Sequence, residues 1–335
     1  MKLRGERINT SSEYIRWLSE LNKNSGPIAG GKGANLGEMY NAKFPVPPAF
    51  VITTKAYFHL IEFAGLDKKI NQIIESIDVD NTKELDEKAL RIRELISNCE
   101  MSEELKYEII EAYENLSVDK STLEKAGRYA FNILKVSTEP VFVAVRSSAT
   151  TEDLEDSSFA GQQETYLNVK GNDELIKTVK RVFASLFTSR AIYYRKKRGF
   201  SSEKFALAVV VQRMIDADRS GVMFSRNPVE DNDNVVIEAV FGLGEGIVSG
   251  RIKPDHYEVS RTLEIKKKEI HEKKVAIVRN SQGNNEEVKL TPNKAKMQVL
   301  SESEMKVLAN LAMRIEDHYQ KPQDIEFAIE GSDIY

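Results

Sequence analysis

Three segments of the chain join glycine or hydroxyl residues to strand-like apolar runs, and each offers a group suited to a triphosphate. They are Gly30-Gly31-Lys32-Gly33, residues 141–148 ending in Arg146-Ser147-Ser148, and Phe159-Ala160-Gly161-Gln162-Gln163-Glu164-Thr165. Glycines let backbone N–H groups approach phosphate oxygens, and lysine or arginine supplies countercharge. Residues 26–32 fit G-x-x-x-x-G-K. Gly33 stands where a P-loop needs a magnesium-binding hydroxyl, and no strand is expected before it, so the P-loop reading fails. What remains is a short turn presenting Lys32, with a solvated lysine as the competing reading. Arg146 follows a strand and could hold two phosphate oxygens in one fork; a pair with Glu152, Asp153 or Asp156 competes with that role. Residues 159–166 suit a flap, with Gly161 close to a nucleotide and Thr165 offering a hydroxyl, or else a plain hairpin turn.

Two further strands carry polar groups at useful places. Residues 206–215 run apolar into Gln212 and then Met214, a pattern that offers an amide to an adenine edge and aliphatic surface to its faces, although a core strand with a terminal glutamine reads the same way. In Asp324-Ile325-Glu326-Phe327-Ala328-Ile329 the acidic side chains share one face, and a carboxylate such as Glu326 is a natural magnesium ligand or simply the solvated side of a strand. Glu238 is a weaker candidate of the same kind. The four histidines lie in unrelated polar contexts, no His/Cys cluster has metal-ligand spacing, and Gly242-Leu243-Gly244-Glu245-Gly246 reads as a tight turn.

The elements that must position these groups follow from periodicity. The first forty residues read as helix, Gly-rich loop and a helix from about Ala34, and Pro47-Pro48 leads into a strand at 49–53. A polar helical insert is expected over about 55–135, with apolar stripes such as Ile70, Ile73, Ile74 and Ile77. Strands are predicted at 142–145, 166–169, 206–211, 220–224, 235–239, 257–259, 274–278 and 325–329. A helix is predicted from Asp173 to about Tyr194, and Ser301 and Glu304 have capping-box spacing before another. The expected division is 1–204 and 205–335, each α+β.

At 335 residues the chain exceeds one usual core. Its 41% hydrophobic and 30% charged content, with no apolar run near bilayer length, excludes a membrane protein, and a net charge of −4 gives no nucleic-acid footprint. The N-terminus lacks a signal-peptide core. The single cysteine, Cys99, rules out an internal disulfide and fits a reducing cytosol, so the expected location is cytoplasmic.

Taken together, the motifs resemble the N-terminal ATP-binding domain shared by phosphoenolpyruvate synthase (pyruvate, water dikinase), pyruvate phosphate dikinase and rifampicin phosphotransferase. The resemblance is carried by residues 30–39, 47–53, 145–150, 158–166, 184–187, 210–214, 220–224, 242–245 and 324–327, in family order. It implies an ATP-grasp-like fold whose two α+β units close on MgATP. By motif position, Lys32 and Arg146 would be catalytic and hold phosphates. Gly161, Gln163, Thr165 and Tyr166 would cover them, Gln212 and Met214 would take the adenine, and Glu326 would bind Mg2+. In such proteins the β-phosphoryl group passes to a histidine on a separate phosphohistidine domain, and a pyruvate-binding barrel completes the reaction. The chain ends at Gly331-Ser332-Asp333-Ile334-Tyr335, before the family's Leu-Gln-Ser-Arg-Pro stretch. The expectation is therefore the nucleotide half of phosphoenolpyruvate synthase, unable to turn over alone. The alternatives are the same part of rifampicin phosphotransferase or pyruvate phosphate dikinase, or a non-catalytic nucleotide-binding adaptor.

Overall fold

Runs of valine and isoleucine become strands because branched side chains fit a pleated, buried surface. The computed structural model describes residues 12–117, 139–150, 164–198, 206–230, 232–248, 250–280 and 282–335. Gly161 and Gln163 of the expected flap, and the last part of the helical insert, lie outside the described residues. The chain divides into two units, Met1–Met214 and Ile215–Tyr335, and both mix helix with sheet.

In the first unit β1 (Ile15–Trp17), β2 (Ala49–Ile52), β3 (Val143–Ala149), β4 (Thr165–Val169) and β5 (Leu207–Arg213) form one sheet. Their order is β1-β2-β5-β3-β4, antiparallel throughout. The expected boundary at 204/205 therefore moves to the far side of β5. That strand pairs with β2 and β3, so it is the centre of the first sheet and not the start of the second unit. Its uninterrupted apolar run reflects burial on both faces.

One face of this sheet, through Phe50, Ile52, Val143, Val145, Val209 and Val211, packs under the helical insert. The insert comprises α2 (Thr54–Phe63), α3 (Asp67–Glu75), α4 (Thr82–Asn98) and α5 (Glu103–Leu116). Ile70 and Ile77 of the isoleucine stripe are buried there, with Ile73 and Ile74 packed against them. The helix expected over 173–194 is broken. It forms α6 (Asn172–Ala184), a 3-10 turn at Ser185–Phe187 and α7 (Ser189–Lys197), because the Thr188 hydroxyl caps α7 by accepting from the Ala191 N–H at 3.2 Å. The opposite face, through Ala49, Val51, Ala208 and Val210, carries α1 (Gly26–Asn41) by way of Ala29 and Leu36. Helix α1 begins eight residues before the expected Ala34, with a kink at Gly30.

The second unit has a six-stranded antiparallel sheet in the order β13-β12-β6-β7-β8-β9. It comprises β6 (Arg219–Phe224), β7 (Val235–Phe241), β8 (Asp255–Val259), β9 (Ile265–Glu269), β12 (Asp324–Glu330) and β13 (Asp333–Ile334). A hairpin of β10 (Val275–Arg279) and β11 (Asn285–Lys289) forms its own two-stranded sheet, tied to the end of β7 by the Leu243 N–H donating to the Ile277 carbonyl at 2.8 Å. Of two single-turn helices, α8 (Glu245–Val248) connects β7 to β8 and α9 (Pro292–Ala295) leads from β11 to α10 (Glu302–Tyr319), which covers the sheet. Met305, Leu308, Ala309 and Ala312 of α10 pack on Met223, Ile237, Ala239, Tyr257 and Phe327. The capping box forms as its spacing predicts: the Ser301 hydroxyl accepts from the Glu304 N–H, and the Glu304 carboxylate accepts from the Ser301 N–H at 2.7 Å.

A fully buried ion pair sits in this unit. Lys273 donates to Asp255, and both side chains have no exposed surface. Asp255 also accepts from the Tyr257 hydroxyl and from the backbone N–H groups of His271 and Val299, all at 2.9 Å. Lys273 donates again to the His271 carbonyl at 2.8 Å. Every polar group in the knot thus has a partner, which burial demands.

Candidate functional site

In a strand, alternate residues face opposite sides, and registers then fix which groups share a surface. Val51 of β2, Val210 of β5, Arg146 of β3 and Thr165 of β4 form one cross-strand row. The adjacent row holds Ala49, Gln212 and Ala144, and the row on the other side holds Ala208 and Ser148. All of these face the side of the sheet that carries α1. Four sequence candidates are thereby brought together on one surface: the turn bearing Lys32, Arg146, Thr165 and Gln212.

Helix α1 reaches β3 through Ser148. The Ser148 hydroxyl donates to the Ala29 carbonyl at 2.8 Å and accepts from the Gly33 N–H at 3.1 Å. Between those partners lies Gly30, at φ 66° and ψ 174°. A Cβ there would collide with the carbonyl oxygen and hydroxyl of Ser148, so both the positive φ and the close approach require glycine. Lys32, one residue before Gly33, is half-buried. Of the hydroxyls after Arg146, Ser148 holds α1 and Thr150 donates to the Ala206 carbonyl at 3.3 Å, while the enclosed Ser147 hydroxyl, on the other face of β3, has no hydrogen-bond partner among the described residues. This use of Ser148 escaped the sequence reading; its signal was the two-residue spacing from Arg146, which puts both on one face.

Arg146 is half-buried, and its Nε is enclosed with no hydrogen-bond partner. Among the described residues no carboxylate pairs with it. A buried guanidinium N–H left unmatched is costly, and an anion on this surface would satisfy it. Gln212 is 8% exposed, and among the described residues its Nε2 makes only a long 3.5 Å contact, to the Pro47 carbonyl. Met214 is half-buried just beyond β5, its N–H donating to the Phe142 carbonyl at 2.9 Å.

Tyr166 falls elsewhere. It is opposite Val145 in the register, on the face of the helical insert, and packs against that core. The Arg181 guanidinium lies 4.5 Å from its ring centroid, and its hydroxyl donates to Glu164. Burial and then the Glu164 carboxylate push the phenol up to about 12, so it is neutral at ordinary pH. Thr165 is exposed on the α1 face; its neighbour Tyr166 is turned away from that face by strand alternation.

Glu326 belongs to the second unit. It is exposed in β12, with Asp324 on the same face, opposite the face covered by α10. Across the sheet its register runs through Val222 to Glu238 and then His256, whose Nδ1 is 3.7 Å from the Glu238 carboxylate. Among the described residues, no three His, Cys, Asp or Glu side chains are gathered as a metal-binding group. No described helix is long and apolar enough to cross a membrane.

Comparison with known proteins places the chain in a family. The family model described as pyruvate phosphate dikinase, AMP/ATP-binding domain, matches residues 26–335. A probable phosphoenolpyruvate synthase of Methanocaldococcus jannaschii is 47% identical over 97% of the chain and 26% of its own length. One from Archaeoglobus fulgidus is 47% identical over 96% of the chain and 40% of its length. The phosphoenolpyruvate synthase of Pyrococcus furiosus is 42% identical over 96% of the chain and 42% of its length. The chain thus spans between about a quarter and two fifths of these relatives.

Proposed function

From the premise that the chain belongs to the pyruvate phosphate dikinase AMP/ATP-binding domain family, we propose that it is the nucleotide half of a phosphoenolpyruvate synthase. The whole reaction would convert ATP, pyruvate and water to AMP, phosphoenolpyruvate and phosphate. This chain's part is to bind ATP and present its β-phosphoryl group to a histidine on a phosphohistidine domain, with a pyruvate-binding barrel receiving it afterwards. Relatives bearing that name support this choice over rifampicin phosphotransferase, pyruvate phosphate dikinase or an adaptor. The two α+β units would act as an ATP-grasp-like clamp.

One observation carries the reading: the enclosed Nε of Arg146 lacks a partner on the very surface where α1 brings Lys32. Arg146 and Lys32 would hold the phosphates by charge-assisted hydrogen bonds, and Gln212 and Met214 would take the adenine. Thr165, with Gly161 and Gln163 in the flap, would cover the phosphates. Tyr166 would act from the opposite face, anchoring the strand beneath that flap. Positioning and electrostatic neutralisation dominate phosphoryl transfer, so these groups need no covalent role. Mg2+ suits an exposed carboxylate such as Glu326, since hard cations take oxygen ligands.

ATP with magnesium at about a hundred times its Kd should stabilise the fold by about 2.7 kcal/mol. Arg146→Ala and Lys32→Ala should each remove most of that stabilisation without loss of helical signal, and Glu326→Gln should weaken its magnesium dependence. Undiminished stabilisation in both cation variants would remove the phosphate site from this surface.

A further inference from the structure

We propose that Ser148 is a positioning residue that sets the phosphate-binding turn by wedging open the first turns of α1. The inference rests on the nucleotide reading above and adds to it a residue that touches no ligand.

In an unbroken helix the N–H of residue 33 would bond the carbonyl of residue 29. Here the buried Ser148 hydroxyl bridges those two groups, giving its proton to Ala29 and taking that of Gly33. A side chain inserted into the i, i+4 ladder is a recognised cause of a kink. The kink falls between the two bridged residues, at Gly30, whose backbone turns into the left-handed region against Ser148 itself. The helix resumes with Lys32 in its first turn, where the positive end of the helix dipole favours an anion. Ser148 stands two residues from Arg146 on the same face of β3, so one strand presents the arginine and fixes the lysine's turn. The strand thereby sets the relation between the two cations.

The test compares the wild-type chain with Ser148→Ala, Gly30→Ala and Arg146→Ala by titration calorimetry against ATP and against adenosine, with a thermal melt of each. Loss of two hydrogen bonds should weaken ATP about tenfold in Ser148→Ala. Adenosine, which has no phosphates to place, should change less than about twofold, well short of the tenfold that corresponds to 1.4 kcal/mol. Gly30→Ala disturbs the same wedge from the other side and should show the same ATP-selective loss. Should it fail to fold, Ser148→Ala carries the test. Equal losses of ATP and adenosine in Ser148→Ala would overturn the positioning role in favour of general support. Wild-type ATP affinity in Ser148→Ala, with Arg146→Ala impaired, would overturn it while leaving the nucleotide reading intact. No ATP binding by the wild-type chain would overturn both.

Discussion

Gln212 and Arg146 share a surface but would meet opposite ends of a nucleotide, so their variants should behave differently. Gln212→Ala is expected to weaken ATP, AMP and adenosine alike, by about 1 kcal/mol, the net value of one hydrogen bond. Arg146→Ala should spare adenosine and weaken ATP by about 1.5–3 kcal/mol, as for hydrogen bonds to a charged group. Arg146→Lys should not restore it fully, because an ammonium cannot make the planar two-oxygen contact. Affinity measurements across the three ligands check this, and a uniform loss in the Arg146 variants would contradict the assignment. At this scale most of the candidate site was legible: glycine, lysine, arginine and glutamine were each singled out from type and neighbours. The face of Tyr166 was also implicit in its adjacency to Thr165. The role of Ser148 was not, since its partners lie more than a hundred residues away.

Among the elements, α10 carries the clearest electrostatic device. Glu316 lies buried on it and accepts from the Arg226 guanidinium at 2.8 Å and from Arg261 at 2.9 Å. Burial works to raise this carboxyl, but hydrogen bonds from Arg261, Arg226 and Ser225, with the Arg261 charge, together outweigh it and hold the group below the ordinary glutamate range. A carboxyl depressed on folding adds stability that is fully present above its unfolded value and lost as pH falls through its folded one. Glu316→Gln is therefore expected to destabilise the second unit by about 1.5–3 kcal/mol at neutral pH. The gap from wild type should close in acid, below the ordinary carboxyl range; denaturant titrations at several pH values measure it. The strands with valine-rich runs and the capped helix α10 were legible because their signals are local. Strands β9 and β11 were not: Ile265-Lys266-Lys267-Lys268-Glu269 and Asn285-Glu286-Glu287-Val288-Lys289 are extended through pairing with β8 and β10, which outweighs their polar composition. The unit boundary was misplaced for the same reason, since the partners of β5 precede it by many residues.

At the scale of the whole chain, each unit has its own apolar core, one beneath the helical insert and one beneath α10. Two cooperative transitions are expected in calorimetry. Leu308→Ala, at a fully buried position of the second core, should lower one by about 2–5 kcal/mol and leave the other in place. A common shift of both would show that the units unfold together. The knot around Asp255 bears on how such a chain can change over generations. Replacing Lys273 alone strands a negative charge in a buried interior, and replacing Asp255 alone strands a positive one together with the His271 amide proton. Neither residue can drift without the other, so the spot is epistatically locked: descendants retain the pair intact or cross a deep fitness valley to discard it.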